Sequence, residues 1–321
     1  MKLGVLTVPL YDRSLEDAVK WLSERKVTAL EIGCGGFPGN THLNPDDYLG
    51  NPEKIEELKN LFAKYNMEVA ALSCHGNAVH PDKSVANKAD ETFKKTVLMA
   101  ETLGVDTIVT FSGCPGGSPE DKTPNWVTCS WPEDYTKILD YQWNEVLIPY
   151  WKEAVAFANA HGVTKIALEM HPGFAVYNTT SLLRLREAVG DTIGANLDPS
   201  HLLWQGMEPA ETVRVLGKAI HHVHAKDTYL DKANIKKAGV LSTGHYSDIL
   251  NRPWTFRTVG YGMSEESWKA FISMLKMVGY DGVLSIEHED MLMSVNEGLE
   301  KAIAFLLDVM TFEKQGEMWW A

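Results

Sequence analysis

Short apolar runs rich in β-branched residues recur along the chain, separated by longer stretches in which apolar residues return with helical period. Eight such runs read as strands: LGVLTVPL from Leu3, VTALEIG from Val27, VAALSCHG from Val69, VDTIVTFSG from Val105, KIALEMHP from Lys165, IGANLDPSH from Ile193, IHHVHAKD from Ile220 and GVLSIEHED from Gly282. The intervening segments carry helix signals. Ser14 is placed to cap LEDAVKWLSERK, Pro52 fits the first turn of PEKIEELKNLFAKYN, and Gly104 closes the helix that ends in AETLG. Strand and helix in alternation predict a parallel sheet with crossover helices. Eight repeats predict closure into a (β/α)8 TIM barrel, which removes both sheet edges. The rival, an open doubly wound sheet, usually has a glycine-rich turn after its first strand, and VPLYDRS has no glycine there. With no linker and no short repeat in view, residues 1–321 read as a single domain.

Two long excursions break the rhythm: CPGGSPEDKTPNWVTCSWPEDY after the fourth strand and TYLDKANIKKAGVLSTGHYSDILNRPWTFRTVGYGM after the seventh. Both leave the carboxyl end of a strand, the face on which barrel loops build active sites. Trp126, Trp131, Trp254 and Phe256 give these loops apolar surface to bury, which predicts lids rather than disordered decoration. The loop from Thr228 to Met263 has two available roles, closure over a ligand or a subunit contact in a homo-oligomer.

Strand alternation sorts the side chains, because residues two apart share a face. One face carries Ala167, Glu169 and His171 in the fifth strand, and Gly194, Asn196 and Asp198 in the sixth. It continues with His222, His224 and Lys226 in the seventh, and Ser285, Glu287 and Glu289 in the eighth. The other face is largely apolar, with Ile166, Leu168, Leu197, Val223, Leu284 and Ile286, and should meet the outer helices. The polar series therefore points into the barrel and brings ionisable groups from consecutive strands to one rim. Buried carboxylates in one place repel one another unless they share protons or bind a cation. Glu169, Asp198, His224 and Glu287 form an oxygen-rich set suited to one divalent ion, Mn²⁺ or Mg²⁺ before Co²⁺ or Zn²⁺. The alternative is an inward salt-bridge network that includes Lys226 and His222. His75, at the end of the third strand, is placed for a substrate hydroxyl or for a structural hydrogen bond. His171 and Lys226 share the inward parity and are candidates either to bind substrate oxygen or to balance carboxylate charge. Glu31 in LEIG fits equally an orienting role behind a ligand and a structural ion pair.

Composition and charge narrow the function classes. A chain of 321 residues that is 45% hydrophobic can bury an enzyme-sized core. Acidic residues outnumber basic ones by 43 to 30, and a net charge of −13 disfavours a nucleic-acid partner. No leader and no apolar stretch of membrane-spanning length is visible, so the expectation is a cytoplasmic protein without a membrane partner. Cys34, Cys74, Cys114 and Cys129 have no paired spacing and read as buried or free thiols.

The motifs LEMHP, NLDPSH, HHVHAKD and SIEHED resemble the fifth- to eighth-strand motifs of the xylose-isomerase-like barrel superfamily, especially its sugar phosphate isomerase and epimerase members. The likeness spans nearly the whole chain. It implies Glu169, Asp198, His224 and Glu287 as metal ligands, Glu169 and Glu287 as the proton-transfer pair, and His201 as a substrate contact. The stretch WTFRTVGYG, which resembles relatives of unassigned activity, implies Arg257 as a further substrate-binding group. The expected activity is a divalent-metal-dependent sugar isomerase or epimerase that abstracts a proton next to a carbonyl and passes through an enediolate. The alternative is a lyase or dehydratase performing β-elimination on a keto-sugar or 3-keto-glycoside. The position six after Glu169 is Ala175, where the ketose epimerases carry a second glutamate, and this departs from a simple ketohexose assignment. An AP-endonuclease-like nuclease needs more histidines: TIVTFSG offers only Thr110 and Ser112, and HAKDTYL lacks a DxH pair. A non-catalytic barrel that binds a sugar around a structural metal is the remaining class.

Overall fold

The computed structural model describes residues 1–314 and 316–320. Its strands in chain order are β1 (Lys2–Leu6), β2 (Ala29–Gly33), β3 (Glu68–Ser73), β4 (Thr107–Thr110), β5 (Lys165–Glu169), β6 (Ile193–Leu197), β7 (Ile220–Ala225), β8 (Asp227–Leu230), β9 (Trp254–Arg257) and β10 (Val283–Ile286). All but β8 and β9 are parallel and close into a barrel, with β10 seated between β1 and β7. Each of the eight runs read from the sequence contributes one barrel strand. The first run is cut short, because Pro9 has no N–H for a ladder, and Val8–Leu10 turns as a 3₁₀ helix.

Helices cover the barrel as the pattern predicts. Ser14 accepts from Asp17 N and starts Leu15–Ser23, which ends three residues before Lys26 adopts a φ of 63°. Pro52 opens Pro52–Lys64, and Gly104 closes Lys83–Leu103 with a left-handed φ of 75°. The apolar strand face, including Leu30, Ile32, Ile166, Leu168, Val223 and Leu284, packs with Leu22, Val97, Trp151, Leu185, Phe271 and Leu306 from the helices. Inside the barrel, Ala71, Val109 and Ala167 form a separate small apolar cluster. Small side chains there leave room for the polar groups above them. Two register shifts interrupt the ladders, between Leu30 and Glu31 in the β2–β3 pair and between Ala195 and Asn196 in the β6–β7 pair. Such shifts re-aim neighbouring side chains, and both lie beside polar groups of the interior. No helix among the described residues is long and apolar enough to cross a membrane.

Both long loops are ordered by hydrogen bonds. Gln142 Nε2 donates to the carbonyls of Pro115, Gly116 and Asn125 and pins the loop after β4. The last residues read as that loop, from Glu133, instead begin a helix that continues through a π-helical turn, Tyr141–Leu147, into Ile148–Ala160. The loop after β7 contains a feature that strand counting does not anticipate: β8 and β9 pair antiparallel in a ribbon outside the barrel. Trp254 stacks on Trp204, with ring centroids 4.6 Å apart and planes 6° from parallel.

The ribbon is held by Asp227. Its Oδ1 accepts from Thr228 N and Met263 N, while Oδ2 accepts from Gly260 N and Trp268 Nε1, all between 2.8 and 3.1 Å. A Cβ at position 262 would stand 2.4 Å from Oδ1, so glycine there permits the close approach. Removing this carboxylate strands several buried N–H groups at once. Asp227→Ala is therefore expected to lower the unfolding free energy by about 3 kcal/mol. Denaturant unfolding measures this, and Trp268→Phe, which removes one donor, is expected to cost a third as much or less.

Candidate functional site

The site is assembled where the barrel strands end at their carboxyl edge. Glu169 is the last residue of β5, His224 lies one residue before the end of β7, and Asp198 and Glu287 are the first residues beyond β6 and β10. The parity read from the sequence holds, and one donor atom from each of these four side chains lies within 4.8 Å of the others. Glu169, Asp198 and His224 are buried, and the side chain of Glu287 is 17% exposed toward the mouth.

Local structure aims each group. Asp198 caps the short helix Pro199–Leu203 through Oδ1, which accepts from Ser200 N at 2.8 Å, leaving Oδ2 facing the barrel axis. One turn later the same helix places His201 Nε2 at 3.0 Å from Glu169 Oε1 and 3.4 Å from Asp198 Oδ2. Glu169 Oε2 accepts from Asn196 Nδ2 at 3.3 Å and stands 3.0 Å from His75 Nε2. His75 therefore joins the site through Glu169. His171 packs its ring 4.1 Å from that of His201, and its Nδ1 lies 2.6 Å from the carbonyl oxygen of Pro172.

His224 connects two layers. Its Nδ1 faces upward, 3.0 Å from Glu287 Oε2 and 3.5 Å from Glu169 Oε2. Its Nε2 faces down, 3.0 Å from both oxygens of Glu31. Glu31 is completely buried, stands 2.9 Å from His222 Nε2 and accepts from the Ser73 hydroxyl. Of the two roles left open for Glu31, its contacts place it directly behind a cluster histidine.

Lys226 is as buried as Glu169 and Asp198. Its Nζ lies 2.8 Å from Glu287 Oε2, 3.1 Å from Glu289 Oε2 and 3.4 Å from Asp198 Oδ2, beneath the Phe256 ring at 4.6 Å. Asp227, the next residue along the chain, is committed to the ribbon. Arg257 lies on β9, but its Nε donates to Asp290 Oδ2 at 3.1 Å, so its charge is matched within the protein. Ala175 donates its backbone N–H to Gly113 O and supplies no functional group.

The electrostatics follow from these distances. Burial alone would raise Glu287, but the charges of Lys226 and His224 override it and hold the carboxyl at about 2. Glu169 is also held well below the carboxylate range, because contacts with His201, His75 and His224 outweigh its burial. Burial pushes Asp198 up to about 7, assisted by Glu287 and Glu169 and opposed by Lys226. His224 is raised well above the usual histidine range, since Glu31 and Glu287 prevail over burial. Burial, with His171 and Lys226 nearby, drives His201 down to about 3. The centre thus carries an excess of acid that its own cations offset only in part.

A divalent ion fits this donor set on geometry as well as charge. Asp198 Oδ2, His224 Nδ1 and Glu287 Oε2 are buried and have no aligned hydrogen-bond partner, although charged neighbours stand at ion-pair distance. Atoms that crowd one point without donating to one another are what ligands of a shared ion look like, since bonds of about 2.1 Å place ligands roughly 3–4 Å apart. Among the described residues, Glu31 with His222 and His224, and Glu169 with His171 and His201, also gather metal-binding atoms. The first of these groups already satisfies itself by hydrogen bonds.

Comparison with known proteins agrees with the fold. The family described as xylose isomerase-like TIM barrel matches residues 19–309. The uncharacterized protein YfiH of Bacillus subtilis is 42% identical over 308 residues, covering 95% of this chain and 98% of YfiH. The probable 3-DHS dehydratase AsbF of Bacillus anthracis superposes with a TM-score of 0.66 at 17% identity, covering 96% of this chain and 99% of AsbF. A structure of the IOLI protein with a bound zinc atom superposes with a TM-score of 0.65 at 21% identity, covering 96% and 98%. The chain belongs to the xylose isomerase-like TIM-barrel family.

Proposed function

We propose that this protein is a divalent-metal-dependent sugar isomerase or epimerase that works by removing a proton next to a substrate carbonyl. The observation that carries this reading is the set of buried, unaligned donor atoms Asp198 Oδ2, His224 Nδ1 and Glu287 Oε2 gathered beside Glu169. Glu169, Asp198, His224 and Glu287 would hold the ion, with Mn²⁺ or Mg²⁺ favoured by three carboxylates and one imidazole. When bound, the ion supplies positive charge to the oxygen that becomes negative in the enediolate. Coordination of zinc by the IOLI protein supports a metal in a barrel of this fold, and the dehydratase assignment of AsbF keeps elimination in view.

The chain's own groups would divide the remaining work. Glu169 and Glu287 are held ionised at neutral pH, so neither must first lose a proton before it holds the ion or takes a proton from substrate. Glu169 is fixed by Asn196 and His75, whereas Glu287 lies at the open side of the cluster, so the two can serve opposite faces of a planar intermediate. Return of the proton to the same carbon gives epimerisation, and return to its neighbour gives isomerisation. His201 and His171, whose burial lowers both below the usual histidine range, would offer neutral imidazoles to substrate hydroxyls. Lys226 would do the same with an ammonium. β-Elimination is the second reading, favoured by Ala175 at the position where ketose epimerases carry a second glutamate. It shares the first deprotonation and differs in the fate of the enediolate.

Solvent exchange tests the shared step. Incubated with Mn²⁺ in heavy water, the protein is expected to place deuterium at the carbon next to the carbonyl of a ketose, aldose or keto-glycoside, read by NMR. Glu287→Gln should slow that exchange by at least roughly 10²-fold with little change in unfolding midpoint. Lack of exchange across the panel, or an unaltered rate in the variant, would overturn the reading. Mass analysis of the same reactions separates elimination, which loses a group, from the mass-neutral outcomes.

Glu31 would orient His224 by accepting from Nε2 and so present Nδ1 to the ion. Glu31→Gln is expected to weaken Mn²⁺ binding roughly 10- to 100-fold, measured by titration calorimetry or by the EPR signal of free Mn²⁺. A drop in thermal stability with unchanged affinity would assign Glu31 a structural role only.

A further inference from the structure

Phe256 stands at a chemical boundary. On its inner side the ring covers Lys226 Nζ at 4.6 Å and meets His201 edge-on with centroids 5.3 Å apart. On its outer side it stacks with Tyr246, the centroids 5.9 Å apart and the planes 21° from parallel. A cavity of about 460 Å³ adjoins it, lined by Tyr246, Ile249 and Phe256 from the segment after β7 and by Met291 and Leu292 from the segment after β10. The cavity reaches the polar floor through His171 and Glu289, and Glu289 pairs with Lys226, which also contacts Glu287 and Asp198.

A ligand that fills this space must have two chemistries. The floor offers acids, imidazoles and an ammonium to a hydroxylated ring. The walls offer aromatic and aliphatic carbon, with Tyr246, Met291 and Leu292 left 52%, 62% and 60% exposed. Ligand cavities of roughly 300–1,000 Å³ enclose molecules of drug size, and a lone monosaccharide that reaches the floor would leave the apolar walls in water. Charge decides what the outer part can be. Arg257 lines the cavity, but it is paired with Asp290, and Glu289 and Asp290 line the same cavity. Lys226 is shared among three carboxylates. A phosphate in the outer cavity would therefore meet acids and cations already matched, whereas a flat apolar ring would gain the Tyr246–Phe256 surface.

We propose that the substrate is an uncharged keto-glycoside, its carbonyl on a ring carbon, whose apolar, aromatic aglycone lies in the cavity outside Phe256 while its sugar rests on the polar floor, and that simple glycosides bind as analogues lacking that carbonyl. The assignment builds on the sugar-enolising reading and names its substrate class. Tyr246, Met291 and Leu292, on loops after β7 and β10, would set the preference for the aglycone, and the rim acids would reject sugar phosphates.

Calorimetric titration of the Mn²⁺-loaded protein with paired phenyl and methyl β-glycosides of glucose, galactose and xylose, and with glucose 6-phosphate, tests the assignment. At least one phenyl glycoside is expected to bind about tenfold or more tightly than its methyl counterpart, and the phosphate more weakly than either. Tyr246→Ala and Leu292→Glu, in the two segments that line the cavity, should each remove most of that ratio. Failure of every phenyl glycoside to outbind its methyl partner, tighter binding of the phosphate, or a ratio unchanged in both variants would overturn the assignment. Deuterium exchange separates the two levels. Exchange into free sugars without a phenyl preference removes the aglycone alone, and a phenyl preference without exchange in any carbonyl compound removes enolisation while supporting the cavity's role.

Discussion

The organisation of this barrel depends on placing carboxylates of like charge in a space that water barely reaches. Glu31, Glu169 and Asp198 are at most 3% exposed, and Glu287 is close above them. An isolated ionised carboxylate in such a place costs several kcal/mol, so each must be matched. Each of the four has a different answer. Glu31 is matched by His222, His224 and the Ser73 hydroxyl, Glu169 by His75, His201 and Asn196, and Glu287 by Lys226 and His224. Asp198 is matched least well, which is why burial prevails and its carboxyl rises to about 7. Apolar packing between strands and helices keeps water from solving the problem, and the small cluster of Ala71, Val109 and Ala167 keeps the barrel interior from excluding the polar groups.

Much of this was legible because alternation along a strand is a strict geometric rule. Once Ile166 and Leu168 are assigned to the helices, Glu169 has to turn inward, and the same count carries Asp198, His224 and Glu287 to one rim. Closure of the barrel was legible from the repeat count for a similar reason. The rest depends on contacts between residues distant in sequence, which periodicity does not encode. The partnership of Glu31 with His222 and His224 spans 191 and 193 residues. His75, read as placed either for a substrate hydroxyl or for a structural hydrogen bond, stands against Glu169, and Arg257 stands against Asp290. The β8–β9 ribbon escaped because the residues between its strands break the short-hairpin pattern, and because Asp227 follows Lys226 so closely that the barrel strand and the ribbon read as one run.

The position of each donor relative to the sheet has a mechanical consequence. Glu169 and His224 lie within barrel strands, where ladder pairing holds their backbone, and both are braced from behind by Asn196, His75 and Glu31. Asp198 lies beyond its strand and is steadied by its cap on Ser200 N, while Glu287 lies beyond β10 with only its backbone N–H bonded to Ala225 O at 3.2 Å. The four donors therefore differ in how far ladder pairing restrains their backbone. Two members are held by the ladder, and the member exposed at the mouth lies outside it. Glu287 already faces two partners, Lys226 and His224, and it is the member exposed toward the mouth. The barrel thus ends β10 at Ile286, one residue short of the acid that stands against both buried cations.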